Sequence, residues 1–371
     1  MKKEIMSPKR LVASLAIRDL TDPKNGIHAI NLIIQKVELA LKEAYSETII
    51  EEIRTDPIVS VKNNFEDLLF PEDNLGRSSR YTRYVAPDKV LRTHTSAAIP
   101  DWLKKEARDG VSDAIVVLPG ICYRRDVVNK IHCGEPHQMD IWRVRRGNPR
   151  FGRPDLIHLI ETILNATVPG YKYRANEVKH PYTINGLEVE ILVNEEWLEV
   201  LECGEAHPVV LGNAGFDHQE YSGLALGMGL DRLVMITKKI DDIRILRSDD
   251  TRIKRQMVNL DKFINVSDQP AAKRVLSFST YVDQTEEDVC EEIRDELGPE
   301  ATYIEEIRYS EISYEQLPTK ARENLGIRPD QKNIVVTLIF RSPEGSLQRT
   351  MVNEWMQHLY PKLNKGDKGY M

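Results

Sequence analysis

Residues 221–248 read YSGLALGMGLDRLVMITKKIDDIRILRS, and the hydrophobic period changes half-way along this stretch. The first nine residues intersperse glycines among apolar residues, which predicts a buried strand whose backbone approaches another group closely. The apolar spacing then becomes helical, and Arg232 falls in the first turn of the predicted helix. Small residues followed by a fixed cation suit a flat nucleotide and its phosphates. The alternative is a tightly packed strand–helix junction with Arg232 in solvent.

The composition narrows the class of protein. The chain has 371 residues, a formal net charge of −7, 41% hydrophobic residues and 29% charged residues. This length predicts two domains, and the negative charge disfavours indiscriminate binding to nucleic acid or anionic membranes. No apolar run is long enough to span a bilayer, and MKKEIMSPKR at the N-terminus lacks the apolar region of a secretory signal, so we expect no membrane association. Four scattered cysteines without a CxxC pair are typical of a reducing compartment, which predicts a cytoplasmic protein without a structural zinc site. They are Cys122, Cys133, Cys203 and Cys290.

A long polar loop joins two predicted strands, AIVVL at 114–118 and MDIWRV at 139–144. The loop begins with YRRD at 123–126, and an arginine there offers paired donors to a phosphate. The alternative is a surface hairpin with ordinary charges. Amphipathic helices are predicted over 27–45 and 154–168.

Carboxylates recur along a second predicted hairpin, formed by 186–193 and 196–204. On an inner sheet face such side chains are costly unless they hold Mg²⁺ or a cationic group, whereas on an outer face they only increase solubility. The residues concerned are Glu188, Glu190, Glu199 and Glu202.

The composition turns polar near 250–272, and a βαββα-like series follows, which predicts a small α+β unit. We therefore expect a catalytic domain over 1–265, a linker over 266–273 and a second domain over 274–371. Acidic residues outnumber basic ones by 18 to 13 over 272–371, so the second domain is not an obvious RNA binder.

Taken in order, these motifs resemble the phenylalanyl-tRNA synthetases, which are class II aminoacyl-tRNA synthetases. GLALGMGLDRL (223–233) resembles motif 3 of that family, whereas YRRD and the later HQMD (137–140) resemble motif 2. RTHTS (92–96) is similar to its substrate-binding strand, and WLEVLECGEAHPVVL (197–211) to the strand region before motif 3. Residues 275–365 resemble the ferredoxin-like anticodon-binding domain of organellar single-chain forms. The resemblance spans roughly 27–365.

The resemblance implies an α+β fold, with an antiparallel sheet flanked by helices and a ferredoxin-like domain after it. It implies ATP and Mg²⁺ as cofactors, an amino acid as substrate, and tRNA as the acceptor. Helix 27–45 could form a class II homodimer seam, whereas organellar single-chain forms are monomers, so both oligomeric states stay open.

The resemblance also assigns roles to residues. Arg124 would hold the α-phosphate and Arg232 the γ-phosphate, and these are the two predicted catalytic residues. Glu199 would be the Mg²⁺ ligand. The other predicted ATP-binding residues are Asp126, His132, Glu135 and Gly229. The predicted amino acid-binding residues are His94, Ser96, Gln138, Asp140 (where the family has glutamate), His180, Tyr182, Glu202 and Ala225.

The departures from the family concentrate where the substrate side chain would be selected. The family commonly has Tyr-Phe-Pro-Phe-Thr, but this chain has KHPYT at 179–183, so His180 and Tyr182 replace two phenylalanines. Glu202 replaces a pocket glycine, and Pro136 replaces a phenylalanine that stacks on adenine. Such a lining suits a polar or cationic side chain better than phenylalanine. Alternatively, Glu202 pairs with His180 and the pocket stays aromatic.

Three functions are consistent with these observations. The main hypothesis is ATP-dependent activation of an amino acid with transfer to tRNA. The first alternative is a repurposed paralogue that adenylates a polar or cationic amino acid for another acceptor. The second is a regulator that binds an amino acid or tRNA without catalysis. The presence of Arg124, Arg232 and Glu199 disfavours the regulator, because a binding module needs no triphosphate or metal site.

Overall fold

The computed structural model of the chain describes residues 3–125, 129–265, 271–342 and 345–368. The chain divides into two compact units. The first unit comprises Met1–Arg124, Glu135–Ile240 and Gln256–Phe263, and the second comprises Arg125–Gly134, Asp241–Arg255 and Ile264–Met371. The segments 125–134 and 241–255, which the sequence-based boundary assigned to the first domain, thus group with the second unit.

The described residues form ten α-helices and thirteen β-strands, which occur partly in runs of consecutive strands. In chain order they are α1 (Pro8–Leu15), α2 (Ala29–Ala44), β1 (Ile49–Glu52), β2 (Ile58–Ser60), β3 (Tyr84–Ala86), β4 (Lys89–Leu91), α3 (Ile99–Asp109), β5 (Asp113–Ile121), β6 (His137–Arg146), α4 (Arg153–Thr167), β7 (Tyr173–Glu177), β8 (Thr183–Val193), β9 (Glu196–Ala206), α5 (Pro208–Ala214), β10 (Tyr221–Gly229), α6 (Leu230–Lys238), α7 (Thr251–Lys254), β11 (Ala272–Tyr281), α8 (Glu286–Leu297), β12 (Ile304–Ser313), α9 (Thr319–Leu325), β13 (Gln331–Phe340) and α10 (Arg349–Leu363).

A seven-stranded sheet forms the centre of the first unit, in the order β1-β5-β6-β10-β9-β8-β7. Only the edge strand β1 is parallel to its neighbour, and the other pairs are antiparallel. On one face, α3 and α5 pack over a core that includes Val116 and Trp142. The predicted antiparallel sheet flanked by helices is confirmed, and β10 leads directly into α6 as the change of period indicated.

Hydrogen bonds at its first residues explain why α2 begins where it does. At the start of α2, His28 Nδ1 accepts the N–H of Ile30, and Asn31 Oδ1 accepts the N–H of His28. Ile30, Ile33 and Val37 recur at helical spacing and are fully buried. The predictions of helices over 27–45 and 154–168 are therefore confirmed by α2 and α4.

A smaller antiparallel sheet, β2-β4-β3, lies in the first unit as well. Its central strand β4 leads into residues 92–98, where a short 3₁₀ turn covers Thr95–Ala98 before α3 begins. The RTHTS motif (92–96) therefore begins directly after β4, and its last two residues lie in the 3₁₀ turn.

The second unit contains the three-stranded antiparallel sheet β11-β13-β12. Helices α8 and α10 pack against one of its faces around Phe278, Ile293, Leu338 and Leu359. The predicted βαββα series is confirmed, and α9 is an additional short helix. β11 begins at Ala272, so the end of the predicted linker 266–273 is strand, whereas 266–270 lie outside the described residues.

Within the described ranges, no helix is both long enough and apolar enough to cross a bilayer. All four cysteines are free thiols.

Candidate active site

Strand β10 forms a floor of small residues between two strands that carry functional groups. Gly227 is in register with Asp140 of β6 on one side and with Glu202 of β9 on the other. Residues directly opposite each other in an antiparallel pair point to the same face. The carboxyl groups of Asp140 and Glu202 therefore project from the same face of the sheet, one on each side of Gly227. A Cβ at Gly227 would lie 3.0 Å from Asp140 Oδ1. The sheet therefore has a shallow trench here, with acidic side chains at both walls.

Asp140 is held by the residues that follow His94. The hydroxyls of Thr95 and Ser96 donate to its two carboxylate oxygens, and the Ser96 bond is 2.9 Å long. Burial raises the pKa of Asp140 to about 6, although the two hydroxyl donors oppose that shift. Asp140 is thus ionised at neutral pH, but close to its titration point. Ser96, predicted to contact the substrate, has its hydroxyl turned to this carboxylate.

His94 is a neutral imidazole with unused hydrogen-bonding capacity. Burial, and then the charge of Arg124, lower its pKa to about 3. Both ring nitrogens are buried, and neither has a hydrogen-bond partner among the described residues. A buried imidazole without partners suits a site that is completed by a bound polar group.

Arg124 lies among the predicted amino acid-binding residues. Its Nε donates to the carbonyl oxygen of Thr93 at 2.8 Å, and its two Nη nitrogens make no hydrogen bond to a described residue. After burial, its charge also contributes to the pKa values of Asp140 and Tyr182. The guanidinium is therefore fixed at its base and keeps donors for an anion.

Aromatic rings line the same region in a chain of contacts. His94 stacks on Phe70 with centroids 5.6 Å apart, and Phe70 lies 5.9 Å from Tyr182. Tyr182 also stacks on Trp142 at 6.1 Å and on His180 at 5.8 Å. Trp142 is paired in register with Ala225, the predicted pocket alanine. We call these five rings (Phe70, His94, Trp142, His180 and Tyr182) the aromatic stack.

Glu202 lies beside the aromatic stack. Its Oε2 is 3.1 Å from Nε2 of His180, and its side chain is 40% exposed. The interaction with His180, opposed by burial, lowers the pKa of Glu202, so this carboxylate is charged at neutral pH. The pairing of Glu202 with His180 is the alternative that the sequence had left open. Oε1 of Glu202 makes no hydrogen bond to a described residue.

Arg232 and Glu199 lie at the other end of the trench. Nη1 of Arg232 donates to the carbonyl oxygen of Glu199 at 2.9 Å and lies 3.3 Å from its Oε2. Glu199 is in register with Glu190, and the Glu199 side chain is 44% exposed. Gly229 comes immediately before α6 and pairs with Gln138.

No group of three or more His, Cys, Asp or Glu side chains within the described ranges is arranged to hold a metal ion. This fits Mg²⁺ bound through one or two carboxylates plus substrate phosphates rather than a complete protein cage. Glu199, accessible and next to Arg232, is suited to that partial role.

The remaining predicted residues have separate environments. Gln138 accepts from the thiol of Cys122 at 3.3 Å. Glu135 is ion-paired with Arg83 at 2.6 Å in the first unit. His132 belongs to the second unit, where its Nδ1 lies 3.0 Å from Asn129 Oδ1. Asp126, predicted to bind ATP, lies outside the described residues.

Sequence reasoning missed several residues that shape the site. Phe70 was not predicted to lie at the site, Trp142 was assigned only to a strand, and Thr95 was not expected to hold Asp140. A second buried network joins motifs 2 and 3, because His137 Nδ1 lies 3.0 Å from Asp231 Oδ1 and the Leu20 N–H donates to His137 Nε2. The alternation along β6 could have indicated Trp142, since it shares a face with Asp140.

Comparisons with known proteins agree with this geometry. Residues 18–257 match the family model of the tRNA synthetases class II core domain (F). The mitochondrial phenylalanine–tRNA ligase of Dictyostelium discoideum is 31% identical over 274 residues, which cover 65% of this chain and 58% of that protein. The matched part is thus less than two thirds of that relative.

Two further relatives are covered more completely. The phenylalanine–tRNA ligase alpha subunit of Acaryochloris marina is 32% identical over 263 residues, covering 69% of this chain and 76% of the relative. The chloroplastic/mitochondrial phenylalanine–tRNA ligase of Arabidopsis thaliana is 31% identical over 321 residues, covering 83% and 70%. The chain belongs to the class II aminoacyl-tRNA synthetase family and is of the phenylalanyl-tRNA synthetase-like type.

Proposed function

We propose that this chain activates an amino acid with ATP and transfers it to tRNA. The observation that carries this proposal is the position of Arg124. Its Nη nitrogens, which make no hydrogen bond to a described residue, lie in the same site as the buried carboxylate of Asp140 and the neutral imidazole of His94. An amino acid bound beside a nucleotide requires three features: a cation for a phosphate or carboxylate, an anion for the ammonium group, and small residues beneath them. Arg124, Asp140 and the glycine floor of β10 supply them.

The reaction would proceed in two steps. An oxygen of the amino acid carboxylate attacks the α-phosphorus of ATP, the bond to the β-phosphate oxygen breaks, and pyrophosphate leaves. A ribose hydroxyl of the terminal adenosine of tRNA then attacks the activated carbonyl, loses its proton, and displaces AMP. No covalent bond to the protein is needed, so the chain acts by positioning the reactants and stabilising their charge.

Individual residues have distinct roles in this proposal. Arg124 holds the α-phosphate, Arg232 holds the γ-phosphate, and Asp140 binds the substrate ammonium group. Mg²⁺ would supply charge neutralisation at the phosphates, with Glu199 as its protein ligand. His94 gives one donor and one acceptor to the polar end of the amino acid.

We further propose that the amino acid has a polar or cationic side chain. Glu202 is charged, and one of its oxygens makes no hydrogen bond to a described residue; it lies beside the imidazole of His180 and the phenol of Tyr182. A hydrocarbon ring placed against that oxygen would desolvate a carboxylate without compensation, at a cost of about 1–3 kcal/mol or more. A side chain with a hydrogen-bond donor would instead satisfy it. This second candidate rests on the Glu202 oxygen that makes no hydrogen bond to a described residue, because the Glu202–His180 pair alone also fits a pocket that stays aromatic.

The test is amino-acid-dependent ATP–pyrophosphate exchange with the full chain, across the standard amino acids and a panel of non-standard polar, aromatic and cationic ones. Exchange with a polar or cationic amino acid supports both proposals, and exchange with phenylalanine alone refutes the second. No exchange with any amino acid, while ATP binds, refutes catalysis and favours the regulator.

Substitutions of the two arginines test the roles proposed for them at the phosphates. Arg124→Ala and Arg232→Ala should each lower exchange about 100-fold or more, because each removes a charge that acts on the phosphates. Arg146→Ala is the matched control, since Arg146 is paired with Glu220 at the exposed end of β6. An equal loss in all three variants would contradict the assigned roles.

The acceptor requires its own measurement. Charging of total tRNA with the amino acid identified by exchange should give an aminoacyl ester labile to mild base. Exchange without any charging would support the repurposed paralogue. Sedimentation of the full chain distinguishes monomer from homodimer. The cytoplasmic location stays a prediction, because two relatives have organellar names.

A further inference from the structure

A cavity of about 410 Å³ lies in the first unit next to the candidate active site, since Arg92 and Tyr123 in its lining directly precede Thr93 and Arg124. Its walls come from the segment after α1, the connection between β1 and β2, and the chain at the ends of β4 and β5. None of the predicted site residues that the structure describes lines it. One water occupies about 30 Å³ of liquid, and small-molecule sites begin near 300 Å³, so the cavity can hold a small organic molecule.

Arg92 lines this cavity and is only 4% exposed. Its Nε donates to the carbonyl oxygen of Ile121 at 2.8 Å. Its Nη1 donates to the carbonyl and the hydroxyl oxygens of Thr55, each at 3.0 Å. All three acceptors are uncharged. Nη2 has no hydrogen bond to any residue that the structure describes, and no described carboxylate lies within 4 Å of the guanidinium. A buried cation in this state is costly.

The backbone is adapted to this guanidinium. A Cβ at Gly120 would lie 2.0 Å from Arg92 Nη2, so any larger residue at this position would displace the arginine. The guanidinium is thus held by three hydrogen bonds on one side and by a glycine on the other. Such fixation costs side-chain entropy, and it leaves the paired N–H donors of Nη2 pre-organised.

The other charged groups that the structure describes at the cavity form no ion pair with Arg92. Asp19 is the one acidic residue in the lining, and its Oδ1 accepts from the N–H and the hydroxyl of Thr21 at 2.9 and 2.7 Å. Its Oδ2 faces the Ile121 N–H at 3.4 Å. Arg18 adds a second, exposed cation. The lining therefore carries two positive charges against one negative charge that is already engaged.

We propose that this cavity is a binding site for a small molecule that bears a carboxylate or phosphate group. The oxyanion pairs with Arg92 Nη2, Arg18 adds long-range attraction, and the apolar side chains of Ile17 and Ile121 contact the rest of the molecule. This site is independent of the proposed activation reaction.

The test is equilibrium dialysis of radiolabelled inorganic phosphate, at constant ionic strength, against a chain that carries Arg124→Ala and Arg232→Ala. These two substitutions remove the arginines proposed to bind ATP phosphates, so remaining saturable binding reports the cavity. Adding Arg92→Lys should weaken that binding about tenfold or more, because a lysine keeps the charge but not the planar pair of donors. Adding Arg146→Gln, an exposed control, should leave it unchanged. Displacement by acetate distinguishes a site that accepts carboxylates from one selective for phosphate.

Two results would overturn the proposal. One is no saturable phosphate binding in the chain without Arg124 and Arg232, and the other is equal binding with Arg92→Lys present. If Arg92→Lys prevents folding, as judged by circular dichroism, Arg18→Gln replaces it. That exposed substitution should weaken binding about threefold by removing one nearby charge, and unchanged binding would contradict the site. If the native chain shows no ATP–pyrophosphate exchange but phosphate still binds at the cavity, the proposed function is refuted and the cavity proposal stands.

Discussion

His180 Nε2 lies 3.1 Å from Glu202 Oε2, and this pair borders the aromatic stack next to Tyr182. His180 precedes β8 and Glu202 lies on β9, so the contact joins two neighbouring elements of the sheet. The contact with His180 holds the carboxylate of Glu202 at a position where the resemblance places a glycine in the family. If the proposed function is right, this residue pair contributes to the selectivity of the site, and substitution can alter it without changing β10.

Glu202→Gly should shift the preference of amino acid activation toward phenylalanine. Removing the carboxylate removes the desolvation cost for a hydrocarbon ring and leaves the aromatic stack in place, so we expect the ratio of kcat/KM for phenylalanine over the best polar substrate to rise about 10- to 100-fold. The measurement is ATP–pyrophosphate exchange with both amino acids. Glu196→Gly, at the exposed start of β9, is the control. An unchanged ratio would mean that Glu202 does not contact the substrate side chain.

Activation should lose rate as the pH falls through about 6. Burial raises the pKa of Asp140 to about 6, and only its ionised form can bind an ammonium group. We expect kcat/KM for exchange to fall by one power of ten per pH unit below that value. Asp140→Asn should lower kcat/KM about 100-fold, mainly through KM, and should abolish this part of the profile.

Stability provides the control for Asp140→Asn. Because the folded pKa of Asp140 is raised above its ordinary value of 3.8, its favourable contribution to stability is present below pH 3.8 and is lost as the pH rises through about 6. Asparagine has no charge to desolvate, so the variant should unfold no earlier than the native chain at pH 8. A large drop in its melting temperature would show that the kinetic effect is only structural.

Glu199→Gln should raise the Mg²⁺ concentration that gives half-maximal exchange, by about tenfold. The substitution removes the carboxylate proposed to contact the metal and leaves the backbone oxygen that binds Arg232. Glu190→Gln is a matched control, since Glu190 lies directly opposite on β8 but is bound to Arg174 at 2.6 Å. Equal Mg²⁺ dependence in the Glu199→Gln variant and the native chain would refute this assignment.

Glu38→Gln should stabilise the chain at pH 8 but not at pH 5. Burial and the neighbouring Glu52 carboxyl group raise the pKa of Glu38 to about 7. Its favourable contribution is therefore complete below its ordinary value of 4.5 and is lost as the pH rises through about 7. Since Glu38 is only half-buried, we expect a gain of about 1 kcal/mol at pH 8, or a few degrees in melting temperature. Glu43→Gln on the same helix is the control, and an equal shift at both pH values would contradict the explanation.

The sequence predicted much of the local structure because hydrophobic period reports which face of an element is buried. The predicted helices at 27–45 and 154–168 coincide with α2 and α4, and the change of period at Gly229 coincides with the start of α6. Shorter elements were missed, since one or two turns give too few repeats for a period to emerge. Ser7 before Pro8 was nevertheless a readable signal for the start of α1, because the Ser7 hydroxyl accepts the N–H of Arg10.

Contacts between distant residues could not be predicted in this way. The bonds from Thr95 and Ser96 to Asp140 depend on how the connection after β4 folds over β6, and no periodicity encodes that approach. The contact between His137 and Asp231 joins residues 94 positions apart. The resemblance to a family supplied residue identities for the site, whereas the partner of each side chain required the strand register.

The glycine and alanine floor of β10 has a consequence for redesign of this chain. On the face formed by Gly223, Ala225, Gly227 and Gly229, β10 has no bulky side chain to repack when its neighbours are substituted, so β6 and β9 can be altered one at a time on that face. Asp140 on β6 lies across Gly227 from Glu202 on β9. In the proposed function, the group that binds the ammonium end common to all amino acids and the group that faces the variable side chain therefore lie on separate strands, so each could be changed without the other.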